Sequence, residues 1–228
     1  MRENTQNKDI KTFGYVIQRT NYGEADRILN LITPVGKKAV IAKGVRKPKS
    51  KLAGAVEMFT LTEVNIHEGR GDVGVLTGAR MVEYYGEILK DLKKIELASE
   101  ILKKINRVVE VESEEYFKIV DQALRGINGG AGLSLVEGWF LINLNREMGE
   151  EINLYRDVLG EKLKATSRYE WDINEKAFIE RDEGSFSANE IKLLRLMMTN
   201  ELKVVLRVKI SEEVLNKVLN LVKMTDMS

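Results

Sequence analysis

The chain has 228 residues, of which 43% are hydrophobic and 31% are charged, and its formal net charge is +1. This balance is typical of a folded globular protein with one large or two small domains, and it excludes a disordered chain. The sequence contains no cysteine, which excludes disulfides and thiolate metal sites. No apolar run approaches the ~20 residues of a membrane span, and the first ten residues lack the apolar stretch of a signal peptide, so we expect a cytoplasmic protein.

Charge is distributed unevenly along the chain. Residues 1–80 carry 14 Lys and Arg against eight Asp and Glu, whereas the remainder carries 22 basic and 27 acidic residues. A basic first part beside an acidic second part indicates a division of labour, with nucleic acid as the candidate partner of the first part.

The first 85 residues have the composition of β-strands. Five segments are rich in β-branched and aromatic residues or alternate between polar and apolar positions: 10–19, 27–34, 37–45, 56–69 and 75–85. The fourth segment breaks strict alternation, as a bulge or bend would. Five strands in this length predict a small closed barrel of the OB type, and an SH3-like barrel fits the same pattern.

A strongly basic run follows and partly occupies the third predicted strand. The sequence KKAVIAKGVRKPKSK, residues 37–51, contains seven basic residues and no acidic one. Such a local positive field in a nearly neutral chain favours a polyanionic partner, while the plainer alternative is a solvated loop kept basic for solubility. Arg27 lies beside Glu24 and Asp26, so an internal ion pair and a contact with nucleic acid are both open for it.

From Ile88 onward the apolar residues recur at helical spacing. The first helix is predicted from a stripe between Ile88 and Val109, and Ser113 is a predicted N-cap for the second. A third helix, over 133–149, is apolar on nearly all sides and is expected to be central. Ser187 and Glu190 predict a capping box, and Ser211 caps a last helix. Between the third and fourth helices, 168–184 predicts a short strand pair around Asn174.

The strand-rich part resembles the RecO family of DNA repair proteins. The resemblance spans nearly all of residues 11–85 with the order intact and is carried by an ordered set of short pieces. These are Gly14-Tyr15-Val16, Tyr22-Gly23-Glu24-Ala25-Asp26-Arg27, Thr33 with Gly36-Lys37, Ala42-Lys43-Gly44 with Arg46, Lys47 and Ser50, Leu52-Ala53-Gly54, Phe59-Thr60-Leu61, Gly69-Arg70-Gly71 and Leu76-Thr77. The likeness becomes a match of helix pattern over 86–150 and is faint thereafter.

The resemblance implies an α+β protein. It would have a five-stranded OB-fold barrel for nucleic-acid binding over 1–85 and an α-helical domain over 86–228. Many family members hold a zinc ion with four cysteines between the third and fourth helices. The corresponding segment here, 150–186, has no cysteine, so we expect a small β-containing insertion held by packing around Trp171 and Phe178, and no cofactor.

The resemblance also implies a function and partners. Family members bind single- and double-stranded DNA and anneal complementary strands. They contact the C-terminal tail of the single-stranded DNA-binding protein and act with RecR to load RecA, in the cytoplasm at the nucleoid. In this chain the residues expected to contact phosphate are Lys43, Arg46, Lys47, Lys49 and Lys51, flanked by Lys37, Lys38 and Arg70.

Aromatic residues and the single histidine give weaker signals. Tyr22 is the aromatic residue best placed to stack on a base, because it lies in a turn, whereas most barrel aromatics are expected in the core. His67 is expected at a strand end. The sequence contains no constellation of catalytic residues, so we expect a protein that is not an enzyme. A protein–protein adaptor and an RNA-binding OB-fold protein are the alternative functions.

Overall fold

The computed structural model describes residues 8–69, 71–109 and 113–226. The chain divides into two compact units, Met1–Leu124 and Arg125–Ser228. The predicted division between 1–85 and 86–228 follows the change from strand to helix period, and as a division into domains it stays a prediction.

The first unit is built on a closed five-stranded barrel. The strands are β1 (Lys8–Tyr22), β2 (Asp26–Thr33), β3 (Gly36–Ala42), β4 (Thr60–Glu68) and β5 (Val73–Tyr84). Their order around the barrel is β1-β2-β3-β5-β4, in which β3 and β5 run parallel and β1 closes against β4. This is the Greek-key arrangement of an OB fold, so the predicted fold class is confirmed and the SH3-like alternative falls away.

Gly14 marks the point at which β1 changes partner. Residues 8–14 pair with β4, and the part of the strand from Tyr15 onward pairs with β2. A Cβ atom at Gly14 would lie 3.1 Å from the backbone oxygen of Ile32 and 3.1 Å from the Thr33 side chain. Only glycine leaves space for the strands to approach this closely at the bend.

The fourth strand begins later than the sequence predicts. Ala53–Val56 forms a short 3₁₀ helix, and Phe59 has a positive φ of 57°, so the ladder begins only at Thr60. The predicted irregularity is confirmed, because the register between β4 and β5 shifts twice. A single apolar core fills the barrel and is formed by buried residues of all five strands and of the connection after β3.

Two helices follow the barrel, and the boundary between the two units falls in the last turn of the second one. Helix α1 (Leu92–Val108) begins after Asp91, whose side chain accepts hydrogen bonds from the backbone N–H groups of Lys93 and Lys94. The predicted start at Ile88 is wrong, since Ile88–Lys90 is a separate 3₁₀ turn. Helix α2 (Glu114–Asn128) follows Ser113, whose hydroxyl accepts from the backbone N–H of Glu115 as predicted.

The second unit is helical with one small sheet. Its helices are α3 (Leu133–Glu147), α4 (Ala188–Thr199), α5 (Leu202–Val205) and α6 (Glu212–Met224). Helix α3 packs against α4 and α6 and is buried along most of its length, which confirms its central position. The capping box at the start of α4 and the Ser211 cap of α6 are also confirmed.

The segment between α3 and α4 is held by aromatic packing. Strands β6 (Tyr169–Asp172) and β7 (Ala177–Glu180) form the predicted pair. The buried Phe178 ring lies 5.2 Å from Trp171, 6.3 Å from Tyr169 and 5.5 Å from Phe186 between ring centroids, each in an edge-to-face arrangement. Such pairs stabilise beyond the area they bury. Within the described residues, no helix has the length and apolar composition needed to cross a membrane.

Candidate nucleic-acid interface

Five of the predicted cations lie on one loop between β3 and β4. The loop is fixed at both ends, because Val45 and Val56 are buried in the barrel core. The basic side chains between and beside these two anchors are all exposed. We call this group the basic loop, and its members are Lys43, Arg46, Lys47, Lys49 and Lys51.

The turn between β1 and β2 holds the basic loop in place. The backbone N–H of Gly44 donates to Asp26 Oδ1 at 2.6 Å, and the N–H of Arg46 donates to the carbonyl of Ala25 at 2.9 Å. The Arg46 guanidinium donates in addition to the carbonyl of Gly23 at 3.3 Å. Gly44 has a φ of +64°, a left-handed conformation that glycine adopts without strain. The Tyr22–Asp26 motif is therefore a support for the loop.

The charges of the basic loop are not neutralised by carboxylates. Among the residues that the structure describes, none of its five cations forms an ion pair with Asp or Glu. Nearby Arg27 differs, because its Nη1 lies 3.9 Å from Glu57 Oε1, and Arg19 contacts the same carboxylate. Arg27 thus has the internal ion pair that the sequence left open, with Glu57 as the partner, and its contact with nucleic acid stays a prediction. The five loop charges project their field into solvent.

Lys37 and Lys38 lie apart from the basic loop, at the beginning of β3. Six residues separate Lys37 from Lys43, which along a strand is about 20 Å. The two side chains are neighbours in a strand and point to opposite faces. Lys37 Nζ donates to the backbone carbonyl of Asn106 at 2.5 Å, and Lys38 Nζ lies 3.0 Å from Glu68 Oε1 with 16% of its side chain exposed.

The eight predicted residues therefore do not form one continuous surface. Five lie on the basic loop, two are partly exposed at the other end of β3 with contacts to Asn106 and Glu68, and Arg70 lies outside the described residues. The expectation of a single cationic surface along the third strand is corrected by strand alternation and by the contacts of Lys37 and Lys38. Contact of these residues with DNA stays a prediction.

The exposed aromatic residues of the barrel are more numerous than the sequence suggests. Tyr22 is exposed beside the basic loop, as predicted, but Phe13 and Tyr84 are exposed too. Phe13 was missed because an aromatic residue in mid-strand is usually part of a core. The signal that could have found it is Lys11, which stands two residues away and so shares its face.

His67 lies near the end of β4, as predicted. Its Nδ1 is 2.7 Å from Asp9 Oδ1 on the neighbouring strand. In the part of the chain that the structure describes, no three side chains of the kind that bind metal ions come together.

Comparison with known proteins agrees with this geometry. The family model described as recombination protein O N terminal matches residues 7–85, which include the whole barrel and the basic loop. A DNA repair protein RecO of Roseiflexus sp. (strain RS-1) is 33% identical over 147 residues, covering 64% of this chain and 52% of that protein. A DNA repair protein RecO of Dehalococcoides mccartyi is 29% identical over 224 residues, covering 93% of this chain and 87% of that protein.

These comparisons support the RecO family for this chain. The Dehalococcoides match extends through both compact units, so the similarity includes the helical second unit as well as the barrel. The names of these relatives place them in DNA repair, and they support a role in DNA repair and recombination for the present chain.

Proposed function

We propose that this chain is a non-enzymatic mediator of DNA repair and recombination that binds single- and double-stranded DNA without sequence specificity. The observation that carries the proposal is the basic loop, with five exposed cations that lack carboxylate partners within the described residues. Kinship with proteins named for DNA repair supports it. The site of action is the cytoplasm, at the nucleoid.

Counterion release provides the binding energy. Lys and Arg side chains that neutralise phosphates displace condensed cations, and this gain does not depend on the bases. Annealing requires that the repulsion between two strands is screened while their bases stay free to pair. A set of phosphate contacts on a loop meets both conditions, because it reads no base edges.

The first test compares the parent with the triple variant Arg46→Ala/Lys47→Ala/Lys49→Ala in a fluorescence-anisotropy salt titration. We expect the variant to lose about tenfold or more in affinity for single strands and duplexes alike. The slope of log affinity against log salt should flatten by about 2 for single strands, since each phosphate contact contributes about 0.7. Unchanged affinity and slope in the triple variant would remove the basic loop from the proposal.

The matched control neutralises three lysines that already have carboxylate partners. Lys90, Lys103 and Lys118 lie within 2.8 Å of Glu87, Glu100 and Glu115, so their replacement by Ala changes the net charge equally. We expect this control to bind like the parent. Matched RNA serves as a second ligand: a preference for RNA would support the RNA-binding alternative, and negligible binding of both polymers at moderate salt would support the adaptor.

The proposed protein partners are RecR, with which the chain would load RecA, and the tail of the single-stranded DNA-binding protein. A tail of apolar and acidic residues requires an apolar pocket with a cationic rim. The second unit has a groove of about 510 Å³ with these properties between α4 and α6. Its apolar wall includes Leu193, Leu196 and Val208, and its rim includes Lys192 and Lys209.

The test of this partner is annealing of DNA strands coated with the single-stranded DNA-binding protein. We expect Lys192→Glu/Lys209→Glu to slow annealing of coated strands and to leave annealing of bare strands unchanged, because the reversed charges repel the acidic tail alone. A Lys162→Glu/Lys164→Glu variant is the charge-matched control. Equal rates for the two double variants on coated strands would contradict the assignment of the groove.

A further inference from the structure

The outer surface of β1, β4 and β5 carries a set of polar, aromatic and cationic side chains that the proposed function does not use. The register places Phe13 of β1 opposite Glu63 of β4, which in turn lies opposite Arg80 of β5. In the next row, Lys11 lies opposite Asn65, and Asn65 lies opposite Gly78. Residues two apart in a strand share a face, so both rows point outward from the barrel.

Charge on this surface is organised around one carboxylate. Glu63 Oε1 lies 3.1 Å from Lys11 Nζ, and Glu63 Oε2 lies 3.0 Å from Arg80 Nη2. Hydrogen bonds from Lys11 and then from Arg80 lower the pKa of Glu63, so it stays ionised at neutral pH. Two cations share a single negative charge, and their side chains remain 68% and 70% exposed. The cluster is therefore net positive and accessible.

Phe13 lies at the β1 end of its row, two residues from Lys11, with 43% of its area exposed. The exposed amide of Asn65 lies in the neighbouring row. Beside that amide, Gly78 has no side chain and leaves a shallow depression in the surface. A Cβ atom at this position would lie 3.0 Å from Asn65 Nδ2 and would crowd the amide. A flat ring, an amide and two flanking cations are the groups that bind an unpaired base and the phosphates on either side of it.

We propose that this surface, the Phe13 face (Lys11, Phe13, Asn65 and Arg80), is a second contact for nucleic acid that is specific for single strands. One unpaired base stacks on the Phe13 ring, the Asn65 amide hydrogen-bonds to the edge of the base, and Lys11 and Arg80 contact the adjoining phosphates. The proposal rests on the proposed function, since it assumes that the chain binds nucleic acid.

The Phe13 face and the basic loop differ in what they require of the ligand. Phosphates are available on single strands and on duplexes, so the basic loop does not distinguish between them. The face of a base is available for stacking only where the base is unpaired. The two surfaces would therefore hold a chain to DNA through different parts of the nucleotide, and only the Phe13 face would create a preference for single strands.

The experiment measures the affinity of the full chain for a mixed-sequence single strand and for the duplex of the same sequence. We expect Phe13→Ala to weaken single-strand binding by about 5- to 100-fold, because stacking on one aromatic ring contributes that much. Duplex binding should change by less than about twofold, since paired bases do not reach the ring. Phe13→Trp should restore single-strand affinity, and Tyr84→Ala, which removes another exposed aromatic residue of the barrel, should bind like the parent.

Phe13→Leu guards against a loss of folding. It keeps an apolar side chain but has no flat ring, so it should show the same selective loss for single strands. A 2-aminopurine base in the single strand reports stacking directly: its fluorescence should be quenched by the parent and by Phe13→Trp, and less by Phe13→Ala and Phe13→Leu at saturating protein.

The possible outcomes separate this inference from the proposed function. If the basic-loop variant loses affinity while Phe13→Ala and Phe13→Leu bind single strands like the parent, the Phe13 face is wrong and the proposed function stands. If the parent binds no nucleic acid, both fail. If the Phe13 variants change oligomeric state or binding of a protein partner without changing single-strand affinity, the face is occupied by a protein, which also overturns the inference.

Discussion

Two parts of the same barrel surface differ sharply in their exposure to solvent. Tyr15 and Phe13 stand two residues apart on the outer face of β1, yet Tyr15 is 1% exposed and Phe13 is 43% exposed. Residues of α2 cover Tyr15: its hydroxyl donates to Asp121 Oδ1 at 2.6 Å, and its ring lies 5.7 Å from that of Phe117. Strand alternation thus fixes the face on which a side chain lies. Helix packing decides whether that face stabilises the fold or remains available for a ligand.

The largest expected effect is on stability, when the covered residue is truncated. Tyr15→Ala should lower the free energy of unfolding by about 3–5 kcal/mol, because it leaves a cavity under α2. Phe13→Ala should lower it by less than about 1 kcal/mol, because its ring already meets solvent. Urea unfolding followed by circular dichroism measures both. Similar losses of unfolding free energy for the two variants would show that covering by α2 does not make Tyr15 more important for stability than Phe13.

The hydroxyl of Tyr15 makes the covered part of the face sensitive to alkaline pH. Burial, with further contributions from Tyr85 and Asp121, raises the pKa of Tyr15 far above its usual value near 10. The unfolded chain loses this proton above pH 10 while the folded chain keeps it. The stabilisation is therefore complete below pH 10, and it decreases by about 1.4 kcal/mol per pH unit above it.

Tyr15→Phe tests this expectation. The variant should be less stable at neutral pH by about 1–2 kcal/mol, since it loses the hydrogen bonds to Tyr85 and Asp121. Above pH 10 its stability should decrease less steeply than that of the parent. Urea unfolding between pH 8 and 11 measures the two slopes, and parallel slopes would contradict the role of the Tyr15 proton.

The smallest expected effects distinguish the two groups of cations around β3. Lys37→Met should cost about 1–2 kcal/mol of stability and have little effect on DNA affinity. The Lys37 ammonium donates to a carbonyl in the last turn of α1, where carbonyls lack helical partners and a cation is favourable. Lys47→Met should leave stability unchanged and flatten the salt slope for single strands by about 0.7. Thermal unfolding measures the stability of both variants, and anisotropy titrations measure their DNA affinity. The reverse pattern would show that Lys37 contacts DNA and that Lys47 stabilises the fold.

Much of the fold follows from local patterns. The change from strand to helix period, the capping box of Ser187 and Glu190 and the irregularity in β4 are properties of short segments, and local sequence is enough to predict them. The basic loop was also visible, because five cations within nine residues cannot all point into the core. The later start of β4 was missed, since the turn at Phe59 uses a positive φ that its residue type does not indicate.

The sequence by itself determined the type of the five barrel strands and of the long helices, the resemblance to the RecO family and the concentration of positive charge after the third strand. Only the tertiary structure decided which of those charges are available. The Lys37 ammonium donates to a carbonyl of α1, and the Lys38 ammonium pairs with the carboxylate of Glu68. Both partners come from segments that are distant in the sequence. Likewise, Lys11 indicates that the face of Phe13 meets solvent, but the sequence does not show that α2 covers Tyr15 on the same face. Exposure is a property of what packs against a residue, and those neighbours come from parts of the chain about 30 to 100 residues away.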